Sequence, residues 1–239
     1  MTFNIIGFIL PEITIAIGIC SIILVNSLVK KATPGLIHGL ILLFLSLSLF
    51  FSFVSLEIPD NTIFNGHYAI DSFGTNLKII ALIAAILVHL SSVKSKQNIK
   101  NEIFLIQLFA TLGVLILCSA KNLLTVYLGL ETLTLSMYGI VASNRNSIDA
   151  TESAMKFFVL GAIASAIFLY GISILYGVTG TLSLDTIKGS LMLDTLEMRV
   201  AVAFIACGII FKFGAFPFHS WVPDSYQGSN TTAAIYVSS

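Results

Sequence analysis

The sequence predicts an all-α fold, a polytopic transmembrane helix bundle with one broken helix. Three observations predict it. Of the 239 residues, 56% are hydrophobic and only 10% are charged, whereas soluble domains carry about 25% charged residues. The apolar residues fall into long runs, each close to the ~20 residues that cross ~30 Å of hydrocarbon. The last long run is interrupted by Gly214 and Pro217 directly after a lysine, Lys212. A mean hydropathy of +0.97 agrees. These features exclude a soluble globular enzyme and a disordered chain, which needs low hydrophobicity. With 12 basic and 12 acidic residues, they also exclude a basic nucleic-acid binder.

The runs place helices at roughly 5–29, 35–56, 74–93, 103–119, 122–142, 152–178 and 200–218, with an eighth beginning near Thr231. No Lys or Arg precedes Lys30 and no small-residue cleavage site follows a short apolar core, so the first run is not read as a cleaved signal peptide. Asp71 and Ser72 can cap the third helix. Asp149 and Glu152 have the spacing of a capping box before the sixth. Gly161 and Ser165 form a small-xxx-small pair there, read as packing. Cys20, Cys118 and Cys207 each stand alone in an apolar run and read as buried small hydrophobes.

Orientation follows from Lys and Arg in alternate connections. One set holds Lys30, Lys31, Lys94, Lys96, Lys100 and Arg145; the other holds Lys121, Lys188 and Arg199. The bias predicts an N-terminus outside. The connection Glu57–Phe73, with Glu57, Asp60 and Asp71 but no basic residue, is assigned to the outer side.

A charge inside the bilayer is costly, about 3 kcal/mol or more, and normally faces protein or water. Glu131 lies in the middle of the fifth segment, and Tyr127, Thr134 and Tyr138 share its helix face. It reads either as a functional carboxylate or as a neutral acid bonded to a neighbouring helix. Lys212 lies in the seventh segment at nearly the depth of Glu131, within ~5 Å along the helix axis. The two should pair, either as a working site or as an ion pair that fixes packing. Lys156 enters the sixth segment four residues after Glu152, and snorkelling with an i, i+4 pair competes there with function. Lys78, His38 and His89 read as interfacial.

Past Lys212, Pro217 is expected to break or kink the helix. His219 would share the face of Lys212 if the helix continued beyond the kink. An imidazole exchanges protons near neutral pH, so lysine, helix break and histidine together suggest a hydrated proton path. Broken helices recur at transporter sites. No CxxC, HExxH, GxGxxG or GxSxG occurs, so no metal, nucleotide or other cofactor is expected in this chain.

At these residues the chain resembles a known family. Phe211 to Gly228, FKFGAFPFHSWVPDSYQG, is similar to the signature of the antiporter-like membrane subunits of respiratory complex I. Ser119 to Glu131, SAKNLLTVYLGLE, and Glu152 to Gly180, ESAMKFFVLGAIASAIFLYGISILYGVTG, are similar to the helices before it. The likeness covers 103–239 strongly and is weaker upstream, on Leu10-Pro11-Glu12 and Asp71-Ser72-Phe73. It implies helices 1–3 over 1–102 and an antiporter-like repeat over 103–239, the leading part of an inverted-repeat fold. Ser229-Asn230 departs from the family's small residue followed by Pro.

The resemblance also implies roles. Glu131 and Lys212 take the family's glutamate and central proton-carrying lysine, and Lys156 and His219 take channel positions. The next family lysine would fall beyond Ser239, so the chain reads as a fragment. By resemblance the function is proton translocation coupled to electron transfer from NADH to quinone, both used by the whole complex. The partners are other membrane subunits, protons, the bilayer of a bacterial inner membrane and, indirectly, quinone, with no nucleic acid. A cation/proton antiporter or membrane-bound hydrogenase subunit is the first alternative; a non-pumping scaffold is the second.

Overall fold

The computed structural model describes residues 9–28, 34–57, 59–94, 101–143, 147–190, 195–229 and 234–235. Nine helices and one hairpin occur among them: α1 (Leu10–Leu28), α2 (Pro34–Ser55), β1 (Asn61–Ile63), β2 (Tyr68–Ile70), α3 (Ser72–Lys94), α4 (Asn101–Cys118), α5 (Leu123–Val141), α6 (Ile148–Thr179), α7 (Leu184–Ser190), α8 (Leu196–Lys212) and α9 (Trp221–Gly228). All seven expected segments contain a helix. α1, α2, α3, α5 and α6 are long and apolar enough to cross a membrane. α4 and α8 are shorter, at 18 and 17 residues, and α8 rises only about 25 Å.

Among the described residues one connection forms a two-stranded sheet. Between α2 and α3 the chain forms an antiparallel hairpin with Asn61 opposite Ile70 and Ile63 opposite Tyr68. Phe64, Asn65 and Gly66 turn it with positive φ, a conformation that Gly and Asn tolerate best. The β2 strand then reaches sideways: Ala69 N donates to Ser119 O at 2.8 Å, and Lys121 N donates to His67 O at 3.1 Å. The α4–α5 link in turn meets the α6–α7 connection, where Leu123 N donates to Leu182 O and Leu184 N to Lys121 O, both at 3.0 Å. Three alternate connections are thus laced together at one end of the bundle. Of the six basic residues assigned to the opposite end, Lys94 closes α3, while Lys30, Lys31, Lys96, Lys100 and Arg145 lie outside the described residues. So does most of the segment expected from Thr231.

The helix starts follow local chemistry. Asp71 caps α3 as expected, with Gly74 N donating to its Oδ1 at 2.8 Å. The α6 cap differs from expectation. Ser147, in extended backbone, accepts from Ala150 N at 3.3 Å, so the helix starts earlier and Asp149 lies inside the first turn. There its charge still favours the helix N-terminus.

One core packs Ile15, Ile19 and Ile22 of α1 against Ile37 and Ile41 of α2, with Leu82 and Phe104 from α3 and α4. A second packs Phe168, Ile172 and Leu175 of α6 against Met198 and Ala201 of α8, and a third gathers Tyr138, Phe157, Phe211 and Trp221. Outward stand Leu24, Leu43, Phe50, Leu87, Leu135 and Phe158, a periphery suited to lipid. None of the three cysteines is fully buried: Cys20 is exposed, Cys118 and Cys207 partly so, and all are free thiols.

Candidate functional site

The site begins with the way α5, α6 and α8 are held. Asn122 caps α5 by accepting from Leu124 N at 2.9 Å, and nine residues in, Glu131 faces the bundle. α6 and α8 touch backbone to backbone. A methyl group on Gly171 would stand 2.9 Å from Ile205 N and 3.0 Å from Ala201 O. This close approach carries the end of α8 against Ser165 of α6.

That end is set by Gly214, not by Pro217. Gly214 adopts φ +60, Gly214 N donates to Phe211 O at 2.9 Å and Ala215 N to Ile210 O at 3.1 Å. These are the paired bonds of a Schellman motif, which stops a helix where a glycine can turn left-handed. The helix is therefore finished at Lys212, before Pro217 could clash with it. Phe211 O also accepts from Trp221 Nε1 at 3.1 Å. The indole stacks on Phe157 of α6 at 4.2 Å with planes 7° apart. The carbonyls freed at this break thus face protein, as the hydrocarbon region demands. Lys212 is the last helical residue, where the carbonyl end of the helix dipole favours a cation.

The expected pair forms. Lys212 Nζ lies 3.2 Å from Glu131 Oε1. Its other contacts were not foreseen: it donates to Thr134 Oγ1 at 3.0 Å and to Ser165 Oγ at 3.0 Å. An ammonium has three hydrogens, and each finds an acceptor. Ser165 Oγ donates onward to Glu131 Oε1 at 2.5 Å. Thr134 Oγ1 donates to Leu130 O at 2.8 Å. Ser165, read as packing alone, therefore stands inside the polar cluster. The Lys212 side chain is 8% exposed and that of Glu131 22%. Of the remaining residues on the Glu131 face, Tyr127 stacks near Phe168 and Tyr138 packs edge-on against Phe157.

Lys156 and His219 lie elsewhere. Lys156 is exposed, with Glu152 Oε1 at 2.8 Å, as the i, i+4 spacing suggests, and Asp224 Oδ2 of α9 at 3.2 Å. It clasps α9 to the start of α6. His219 does not share a helix face with Lys212, because α8 does not continue. It is exposed in the turns after Pro217, its ring 5.8 Å from that of Phe216.

A second buried charge cluster was missed. Lys78 Nζ of α3 lies 2.7 Å from Glu12 Oε1 of α1, with side chains 3% and 6% exposed. Tyr68 OH of β2 donates to the same carboxylate oxygen at 2.5 Å and accepts from Lys78 at 3.1 Å. Burial, reinforced by the Glu12 carboxylate, pushes the Tyr68 phenol pKa up, so it stays a hydroxyl. Lys78 is therefore buried and paired inside the bundle, not exposed at its surface. The available signal was two charges inside apolar runs, each close to a helix start. His89 is also withdrawn from the surface. It is buried, its ring 5.3 Å from that of partly buried His38 and edge-on to Phe104. Among the described residues no group of three or more His, Cys, Asp or Glu is placed to hold a metal ion.

Comparison with known proteins gives the family of the chain. The family described as NADH:quinone oxidoreductase/Mrp antiporter, transmembrane, matches residues 120–239. NADH-quinone oxidoreductase subunit N of Ruthia magnifica is 36% identical over 238 residues, covering 96% of this chain and 49% of that protein. The subunit N of Acidithiobacillus ferrooxidans is 43% identical over 186 residues, 75% of this chain and 39% of that one. The chain spans about half the length of the curated relatives it matches. A chain of respiratory complex I from Thermus thermophilus with bound aureothin superposes with a TM-score of 0.79 at 29% identity, covering 95% of this chain and 49% of its own. A chain of the Mrp complex from Dietzia sp. shares the fold with a TM-score of 0.80 at 16% identity, over 96% and 45%. On the family match and these relatives, the chain belongs to the NADH:quinone oxidoreductase/Mrp antiporter transmembrane family, and its curated relatives are subunit N of NADH-quinone oxidoreductase.

Proposed function

We propose that this chain provides the Glu–Lys switch of a proton-translocating subunit N. The subunit sits in a bacterial inner membrane, N-terminus outside, beside the other membrane subunits of its complex. The observation that carries the reading is the position of Lys212. It ends an interrupted helix, pairs with Glu131, and has two hydroxyls ready beside it. Paired, the lysine is held as an ammonium. At an effective dielectric of 20, a pair at 4 Å is worth about 4 kcal/mol. When Glu131 turns away, that stabilisation is lost and the buried ammonium releases its proton. Moving one charge against 100 mV costs about 2.3 kcal/mol, so the switch has sufficient scale. Ser165, bonded to both groups, keeps the lysine nitrogen in place while the carboxylate moves. Lys156, joined to Asp224 of α9, and His219, in the turns that lead into α9, are both exposed and serve the same end of the path. The driving energy comes from NADH oxidation by quinone elsewhere in the complex, and this chain carries no redox centre.

The test uses the full-length subunit in its complex. Lys212→Ala is expected to abolish NADH-driven proton uptake by membrane vesicles while assembly and quinone reduction persist. Unchanged uptake with normal assembly removes Lys212 from the mechanism. The family description covers Mrp antiporters as well, which supports cation/proton exchange as the second reading. Sodium-dependent pH changes in vesicles without NADH would favour it.

A further inference from the structure

The Glu12–Tyr68–Lys78 cluster lies outside residues 120–239, which the family description covers, and the Lys212 switch makes no use of it. It nevertheless connects to that switch through an unbroken set of bonds. Tyr68 belongs to β2, whose neighbours His67 and Ala69 pair with Lys121 and Ser119 of the α4–α5 link. That link also bonds the α6–α7 connection through Leu123 and Lys121. Asn122, between them, caps α5. From this cap a continuous helix runs to Glu131, a rigid rise of about 13 Å.

The cluster is built to stay shut. Both charged side chains are almost fully buried, and Lys78 also lies over the Tyr68 ring at 5.1 Å. Glu12 uses one oxygen for both partners, and its Oε2 is buried without a partner among the described residues. Removing either charge would leave the other stranded in a low dielectric, so the closed pair is the low-energy state.

We propose that Glu12, Tyr68 and Lys78 are positioning residues for Glu131. The ion pair pins the hairpin, the hairpin pins the α4–α5 link, and the link sets the height of Glu131 opposite Lys212. The inference rests on the reading of Lys212 as the proton carrier only in its last step.

The experiment uses the full-length subunit in its assembled complex, with hydrogen–deuterium exchange and NADH-driven proton uptake measured on the same preparations. Tyr68→Phe removes one hydroxyl and keeps the ring. Exchange in peptides covering 119–124 is expected to rise about tenfold, with the α6 segment around Phe168 unchanged, and proton uptake to fall severalfold. Lys78→Met should do more, and Lys78→Arg should restore both readouts. If Lys78→Met fails to assemble, the double variant Glu12→Gln/Lys78→Met, which buries no unpaired charge, takes its place. Unchanged exchange at 119–124 in Tyr68→Phe and in the double variant overturns the clasp. Faster exchange with full proton uptake overturns the positioning step. Full uptake in Lys212→Ala would instead sink the proton-carrier reading, and the exchange result would still decide the clasp.

Discussion

The Glu131–Lys212 pair joins α5 to α8, and the Glu12–Lys78 pair joins α1 to α3, with hydroxyls completing both. Their surroundings differ. Glu12 and Lys78 stand 2.7 Å apart with side chains 6% and 3% exposed, whereas Glu131 and Lys212 stand 3.2 Å apart with Glu131 22% exposed. Lys78 is inside an intact helix, while Lys212 is the last residue of one that stops. Among the described residues Lys78 has one other hydrogen-bond partner, a phenol on a pinned hairpin; Lys212 has Thr134 and Ser165. The same residue types therefore make two devices. A lysine with spare acceptors can lose its carboxylate and keep some polar company. A lysine without them stays locked, because separation strands a buried charge.

The comparison breaks most readily on stability. Lys78→Met strands Glu12 and is expected to cost about 3–5 kcal/mol, measured by denaturant unfolding of the purified full-length protein in detergent. Lys212→Met should cost less, about 1–3 kcal/mol, because Glu131 keeps the Ser165 bond and some exposure. The reverse order would show that the second pair, not the first, is the lock. Double-mutant cycles sharpen the point, with the Glu12/Lys78 coupling larger than that of Glu131/Lys212.

Gly214→Ala should cost about 1 kcal/mol or more, since φ +60 strains any side chain. The new methyl would also crowd Val222 Cγ2. It should loosen the α8 end and reduce proton uptake more than a comparably destabilising change in α1. Ser165→Ala should cost about 1 kcal/mol while lowering uptake severalfold in vesicle assays. A loss of stability without loss of uptake would reduce Ser165 to packing. The smallest effect belongs to Lys156. Exposed to 49%, with partners exposed to 60% and 41%, it should be replaceable by Ala with no measurable change in unfolding.

Much of this was legible beforehand, and particular residues explain why. Glu131 and Lys212 stand out because each is a charge amid apolar neighbours, and the cost of desolvating it is visible from the run alone. Their shared depth followed from rise per residue. The end of α8 was legible only in part. Gly214 and Pro217 both stop helices, and the first to act is decided by backbone bonds to Phe211 and Ile210. The condition for His219 to share the Lys212 face, a helix continuing past the kink, fails for that reason. Ser165 was read as packing because a small polar residue on a helix serves either purpose until the facing helix is known. Lys78 passed as interfacial, since it lies near a helix start, and Glu12 stood out only as part of Leu10-Pro11-Glu12.

The sequence by itself determined that this is a bundle of membrane-spanning helices with an acid and a base buried in facing segments. Hydropathy, run length and rise per residue are local quantities, and they leave little freedom. Only the tertiary structure decided which hydroxyls join Lys212, where α8 ends, and that Tyr68, 56 residues from Glu12, closes a second ion pair. Such partnerships depend on which faces meet after the chain has crossed and recrossed, and no window of neighbouring residues contains that information.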